Sequence, residues 1–598
     1  MRRTVAIAWL LAGCEAGPYR HEATGDGGPD PTDAGVIAND LRVDTDRDGR
    51  LTRADDVGEE TWEAEGGAIF LANVDDDDDD GIADAVDAIV NGEADARDLA
   101  HVEITAWPSA PEGTTGTLSL VTVAPSRVRF FRQAGATWTA LAALPALTTA
   151  DLQGGVTLGV EGTALLSDSL WDGRIEIGLA VTDAAGAALL EETVEMRQAS
   201  MVIAWNSAPT TIVHVSDLGW NADNQILRDA VQQATDDVGI LHWFINSGDD
   251  DYVYVDPDGF RIADQWTQDF FEMGATYMPG DGVWQRLGVG IRLKPPQNSG
   301  YFVEKEIFGI DNGHVYPFSD PYDGWRDGAS LDYGGNLEVV PPHEGYPAGR
   351  ILAGTHGNRL LDPVLEAFLQ AQYAQAPILE ADTNWLVVGH IDEAVGFVED
   401  PLSERGWKAT LTAPREAWAM LEGLVEDDPD NADLVLFNGL YFWTDTGFPS
   451  AEITVGEILE DVDLAAANEE AQGHADDIKA LLMTEAGLVE GDFVYLPFLW
   501  EPYGSGPSGE LRQVAYIPGT VNLLTFNGVA MLPEPFGPRV GGEDVFERVT
   551  RDRLEALGLD VRFVDNWNLY HRLLGEVHCG TQTDRTIPRE TAWWDSAR

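Results

Sequence analysis

The chain has 598 residues, 44 % of them hydrophobic and 19 of them tryptophan, enough for more than one buried core. Its formal net charge is −67, from 36 Lys and Arg against 103 Asp and Glu. A surface this acidic repels phosphate backbones, which argues against a nucleic-acid partner, and it draws in cations, either metal ions or basic peptides. No internal stretch is long and apolar enough to cross a bilayer.

The N-terminus begins Met1-Arg2-Arg3, continues through the apolar run from Thr4 to Leu11, and ends in Leu11-Ala12-Gly13-Cys14. A basic start, an apolar stretch and a small-residue site before Cys describe a lipoprotein-type signal over residues 1–14. It predicts an exported protein, lipid-anchored at a bacterial membrane or secreted. Membrane contact is expected only through that anchor. Residues 15–38 are rich in Gly, Pro, Asp and Thr and read as a flexible linker. The two cysteines are Cys14 and Cys579. If Cys14 carries a lipid, Cys579 is an unpaired thiol.

Two acidic loops follow. Asp44, Asp46 and Asp48 alternate ahead of Gly49, with Asp55 at the twelfth position. Asp76, Asp78 and Asp80 repeat the pattern ahead of Gly81, with Asp84 and Asp87 at the ninth and twelfth positions. Carboxylates at alternate positions before a sharply turning Gly aim several oxygens at one centre, as calcium requires. The competing reading is a solvated acidic run, which the poly-Asp alone would allow.

Segments 101–107, 117–123 and 174–181 alternate or run apolar between Gly and Asp turns. They predict a β-sandwich within residues 39–203. Beyond that, short apolar strands at 211–215, 385–388 and 493–496 alternate with helical stretches at 225–236, 363–373 and 465–482. Residues 204–598 therefore read as an α/β region, with no sequence repeat of clear period.

No phosphate-binding loop, nucleophile elbow, His-Glu-x-x-His or dinucleotide fingerprint is present. Three clusters remain: Trp266-Thr267-Gln268-Asp269-Phe270-Phe271-Glu272, Gly389-His390-Ile391-Asp392-Glu393 and Gly575-Glu576-Val577-His578-Cys579-Gly580-Thr581. Singly each is weak, since a lone His-x-Asp is more often a structural pair and a lone Cys more often a buried small hydrophobe. Together they resemble the signature strings of the protein-arginine deiminase family. Gly335-Asn336-Leu337-Glu338-Val339, Tyr346-Pro347-Ala348-Gly349-Arg350, Pro535-Phe536-Gly537-Pro538 and Trp593-Trp594 agree as well, in the right order.

The resemblance implies a calcium-binding, immunoglobulin-like middle domain over 39–203. It implies an α/β-propeller (pentein) catalytic domain over 204–598, without the further domain that opens the family's animal members. It implies calcium-dependent hydrolysis of protein or peptide arginine to citrulline. In that scheme Cys579 is the nucleophile, His390 the proton carrier, Asp269 and Asp392 hold the guanidinium, and Trp266 packs along the arginine stem. The implied calcium ligands are Gln268, Glu272, Glu338 and the carbonyls of Gly334 and Leu337 in the catalytic domain. In the middle domain they are Asn73, Asp75, Asp77, Asp95 and Asp98, with Asp311 as a bridge.

Two features depart from the family. Phe270 and Lys294 stand where a second catalytic-domain calcium site has acidic ligands, so that site is expected to be lost. Ser299 stands where the family holds the peptide backbone with an arginine, leaving Arg292 or Arg326 as substitutes. The departure keeps open a pentein-type deiminase or amidinotransferase acting on free arginine or another small guanidine. A calcium-stabilised surface protein without activity is the remaining rival.

Overall fold

A computed structural model describes residues 39–219, 221–249, 253–255, 261–280, 283–294, 298–318, 329–357, 361–442, 447–505, 511–588 and 592–595. The signal, the linker and Arg326 lie outside the described residues. The first region holds two five-stranded sheets. One runs Leu41–Arg42, Ala100–Ile104, Val156–Gly162, Val128–Ala134, Thr137–Ala140. The other runs Ala68–Phe70, Ala188–Gln198, Arg174–Thr182, Thr115–Val121, Ala146–Leu147. Along Arg174–Thr182, Ile175, Ile177, Leu179 and Val181 are buried, the period of two that puts alternate side chains on one face. Val102, Leu158 and Val160 from the first sheet meet them in one core.

The second region is built from small mixed sheets, five of which share one wiring. A middle strand has an antiparallel neighbour on one side and a parallel neighbour on the other. The middle strands are Thr210–Ser216, Val283–Arg292, Arg350–Thr355, Gly406–Thr412 and Val529–Pro533. Parallel neighbours need a crossover, and helices supply four of them: Ala222–Val238, Pro363–Ala371, the pair Pro414–Asp427 with Val462–Glu485, and Val545–Glu555. Asn221, Asp362, Asp461 and Asp544 cap helices in these crossovers by accepting from the first free backbone N–H groups. The outer strand Thr581–Arg585 pairs with Thr210–Ser216, so the last strand closes on the first of this region.

The segment 385–388, expected as a strand, is a turn instead. Its one ladder contact is an isolated bridge from Leu386 to Gln513. Trp385 is buried against His474 and Trp500, and the Thr383 hydroxyl donates to the Gly389 carbonyl at 2.7 Å. Four apolar residues in a row mark burial on all sides, which a packed turn satisfies as well as a strand.

The core continues from the sandwich into the second region through Met201, Leu337, Val339, Phe368 and Tyr373. Two buried glutamines bond the junction. Gln372 Oε1 accepts from Met201 N–H at 2.9 Å. Gln375 accepts from Ile203 N–H and donates to the carbonyls of Ile203 and Ala348, each at 2.8 Å. Replacing Gln375 by Ala strands these groups out of water, at about 1–3 kcal/mol for each buried partner left unsatisfied. The Gln375→Ala variant should unfold at lower temperature and denaturant concentration than the parent; an unchanged midpoint would remove this junction from the stability argument.

Candidate active site

Each of the five like-wired sheets sends the segment just before its antiparallel outer strand to one place. The segments are Thr267–Asp269 before Phe271–Gly280, Gly334–Asn336 before Leu337–Val340, Ile391–Glu393 before Val395–Asp400, residues 519–522 before Leu524–Phe526, and His578 with Cys579 before Thr581–Arg585. Hydrogen bonds tie them together. Asn522 Nδ2 donates to Asp392 Oδ2 at 2.8 Å, and its Oδ1 accepts from Cys579 N–H at 3.2 Å. Gln268 N–H donates to the Cys579 carbonyl at 3.2 Å. His390 Nε2 lies 2.9 Å from the Ser330 carbonyl. A Cβ on Gly335 would fall 2.4 Å from His390 Nδ1 and 3.1 Å from Asp392 Oδ2, so only glycine allows this approach.

Cys579 Sγ sits 3.8 Å from Asp392 Oδ2, and His578 Nδ1 sits 2.8 Å from the same oxygen. Cys579, Asn522, Gly575 and Glu393 line one pocket together with Trp500 and His571. Trp266 is half-buried beside it, edge-on to Tyr570 at 5.8 Å. The four residues expected to carry the chemistry thus share one neighbourhood. Two others in it, His578 and Asn522, were missed. Their signal was present in part: His578 adjoins Cys579 in the chain, whereas nothing local marks Asn522.

Burial and the Asp392 charge push the Cys579 thiol well above its usual range. Burial, with Asp264 and Asp392, pushes the Asp269 carboxyl up too. Burial draws His390 down. It also acts to lower His578, but the hydrogen bond to Asp392 and the Glu338 charge more than offset it and leave His578 raised. The pocket is short of positive charge, and a guanidinium or another cation would supply it.

Beside it, Gln268, Glu272, Leu337 and Glu338 line a cavity of about 20 Å3 with His578, Gln582 and Arg585. Gly334 packs against Gln268 and Glu272 at its edge. Glu272 Oε1 accepts from Gln268 at 2.9 Å and Gln582 at 3.2 Å. Burial pushes Glu338 up to about 7 and Glu272 well above the carboxylate range. Convergent buried oxygens whose negative charge Arg585 balances only in part fit a hard divalent cation.

A family model described as protein-arginine deiminase matches residues 188–595. The chain belongs to the protein-arginine deiminase family. Mouse protein-arginine deiminase type-4 is 29 % identical over 587 residues, covering 93 % of this chain and 82 % of that protein. Rat type-3 is 30 % identical, over 68 % of this chain and 57 % of the relative. Mouse type-1 is also 30 % identical, over 73 % and 62 %. With these last two relatives the match spans little more than half of their length. Among solved structures, an agmatine deiminase from C. jejuni aligns over 65 % of this chain and 97 % of its own, at 13 % identity and a TM-score of 0.32.

The deiminase-family departures have local explanations. Phe270 is fully buried with Phe271 and Phe302, an apolar setting with no room for an ionic ligand. Lys294 is buried, its ammonium 5.6 Å from the Phe318 ring. Ser299 is also buried, with its hydroxyl 3.5 Å from Asp264. Arg292 pairs with Glu304 at 2.8 Å and lies over the Tyr301 and Tyr316 rings.

In the sandwich region, Asp75, Asp77 and Asp311 bring carboxylate oxygens within 4.8 Å of one another, as do Asp44, Asp46 and Asp48, and Asp76, Asp78 and Asp80. Both oxygens of Asp75, Oδ2 of Asp77 and Asp98, and Oδ1 of Asn73 are buried with no hydrogen-bond partner. Asp311 reaches them from the second region because Gly313 has no side chain to strike Val74. Asp95 accepts from Asn73 at 3.0 Å and Asn91 N–H at 2.8 Å. Asp84, the ninth position of the second loop, and Glu161, which was not among the expected ligands, are buried in the same network. Asp55 turns inward and accepts from the N–H groups of Thr45 and Thr52, which closes the first loop from within.

Burial first, then neighbouring carboxylates, pushes Asp75 to about 9, Asp44 to about 8 and Asp84 to about 7. Burial also pushes Glu161 to about 8. A carboxyl whose pKa is higher folded than unfolded binds more protons when folded, so its contribution is lost as pH rises. In chelator, the melting temperature should fall between about pH 4 and pH 9. Calcium chloride should flatten or reverse that slope. Equal slopes with calcium and with chelator would dismiss these clusters as cation sites.

Proposed function

We propose that this chain is a calcium-dependent hydrolase that converts the arginine side chains of proteins or peptides to citrulline and releases ammonia. The observation that carries the reading is the convergence of Cys579, Asp392, His390 and Asp269 from separate sheets, with the thiol 3.8 Å from a carboxylate. The sandwich is taken as an immunoglobulin-like domain and the five like-wired sheets as an α/β propeller. Residues 1–14 are taken as an export signal ending in a lipid-anchored Cys14, with residues 15–38 as tether.

Asp269 and Asp392 accept the guanidinium N–H groups and hold the planar group in place. Its charge restores the balance of a pocket rich in carboxylates and stabilises the Cys579 thiolate, whose proton passes to His390. The His390 Nε2–H donates to the Ser330 carbonyl, which leaves Nδ1 for proton transfer. Sulfur attacks the central guanidinium carbon, His390 protonates one nitrogen, and ammonia leaves as the S-alkylthiouronium forms. Neutral His390 then takes a proton from water, hydroxide adds to the same carbon, and collapse expels the Cys579 sulfur and frees citrulline. His578 and Asn522 fix Asp392 during these steps. Gln268, Glu272, Glu338 and the carbonyls of Leu337 and Gly334 would hold a calcium ion, which would supply positive charge beside His578, and Gln268, the neighbour of Asp269, would be fixed as one of its ligands.

A second reading, deimination of free arginine or another small guanidine, is favoured by Ser299 and by the engagement of Arg292 with Glu304. The two are separated by citrulline formation from an arginine peptide blocked at both ends and from free arginine, each with calcium and with chelator. Calcium-dependent turnover of the blocked peptide is expected, and turnover of free arginine alone would transfer the conclusion to the second reading. Cys579→Ala should abolish turnover while leaving the melting curve in place; residual turnover would reject the nucleophile. His578→Gln should lower kcat by about 10- to 100-fold with KM little changed, since orientation of Asp392 is lost. An unchanged kcat would make His578 a bystander.

A further inference from the structure

A fourth acidic cluster shares no residue with the acidic loops or with the reaction pocket. We infer that Asp40, Glu59 and Glu192 form a calcium site that ties the start of the sandwich to its second sheet. Asp40 directly precedes strand Leu41–Arg42 of the first sheet. Glu192 lies on Ala188–Gln198 of the second. Glu59 stands on the segment after the turn Arg53–Asp56. One oxygen from each lies within 4.8 Å of the others. Oxygens on one calcium ion, at about 2.3–2.6 Å from it, can be up to about 4.6–5.2 Å apart, so this spacing admits a calcium ion.

The second observation is the state of Glu59. It is 4 % exposed, and its Oε2 is buried with no hydrogen-bond partner. The neighbouring oxygens are only partly satisfied by the protein. Glu192 Oε2 accepts from Leu41 N–H at 2.8 Å. Arg42 donates to Asp40 at 2.5 Å and to Asp56 at 2.7 Å, so one guanidinium serves two carboxylates and none of its bonds reaches Glu59. Asp40, Asp56, Glu59 and Glu192 against Arg42 leave a surplus of about three negative charges beside a buried oxygen. A dication removes most of that surplus and satisfies Glu59 directly. Asp40 and Glu192 are half-buried, so water can complete the coordination shell from the open side.

A cation here bridges the two sheets at the edge where the chain enters the fold. Strand Leu41–Arg42 has only two residues, too few ladder bonds to hold that edge alone. The site uses no residue of the catalytic reading, and its test does not depend on turnover. The full chain, Glu59→Gln and Glu192→Gln are dialysed against calcium chloride, and bound calcium per chain is measured by atomic emission. Each variant is expected to hold one equivalent fewer than the parent and to show a smaller calcium-induced rise in melting temperature. Exposed Glu60→Gln should match the parent. Magnesium chloride at the same concentration should not replace the lost equivalent. If Glu192→Gln does not fold, Glu59→Gln decides alone, because it keeps the shape of the side chain and removes only its charge. An unchanged calcium count in Glu59→Gln would overturn the proposal and leave a proton on Glu59 in place of the ion.

Discussion

A carboxylate taken out of water needs hydrogen bonds, a proton or a cation, and most of this structure's functional geometry follows from that demand. Asp392 is buried and Glu393 half-buried at the Cys579 pocket, and Glu272 and Glu338 are buried at the cavity beside it. Arg585 lies against the same cavity, and burial holds its guanidinium down to about 10. That single fixed cation cannot balance the group. The protein has therefore folded an electrostatic deficit into its interior, and charge arriving from outside completes it. A guanidinium fits one part of the deficit, and a hard metal ion fits the other. The same imbalance recurs where both oxygens of Asp75 and one oxygen each of Asp77 and Asp98 are buried without donors.

The second constraint is mechanical. Five sheets of one wiring each give up a short segment ahead of an outer strand, and those segments can meet only if the sheets are held in fixed relation. Asn522 shows how the meeting is fastened: one amide bridges the Asp392 carboxylate and the Cys579 backbone. Gly335 shows how close it is, since a single methyl there would strike two functional side chains. The active pocket is thus a property of the closed set of sheets rather than of any one loop. Coupling to the sandwich runs through the shared core and through Asp311, which crosses to the aspartates of the first region.

Periodicity and local chemistry made much of this legible beforehand. Alternating strands such as Arg174–Thr182, the helical stretches and the Asp-x-Asp-x-Asp-Gly loops each carry their reason within a few neighbouring residues. The clusters around Asp269, Asp392 and Cys579 are weak singly and marked the pocket only together, through their resemblance to the deiminase family. What failed did so where neighbours in space replaced neighbours in sequence. The run 385–388 is apolar because Trp385 packs on His474 and Trp500, not because it extends a ladder. The repeated wiring of the five sheets left no sequence period, because it is a pattern of backbone pairing joined by crossovers of unequal length.

By itself, then, the sequence determined most strand and helix segments and the oxygen-rich loops, since these depend on short-range pattern and on intrinsic residue chemistry, and its family resemblance singled out Asp269, His390, Asp392 and Cys579 as candidates. Only the tertiary structure decided which carboxylates lose water together and which of their oxygens stay unpartnered. It alone placed His578 and Asn522 on Asp392 and engaged Arg292 with Glu304. It also brought Asp40, Glu59 and Glu192 to one point from three distant parts of the chain. Desolvation and charge balance belong to a volume of space, and that volume exists only once the sheets have closed.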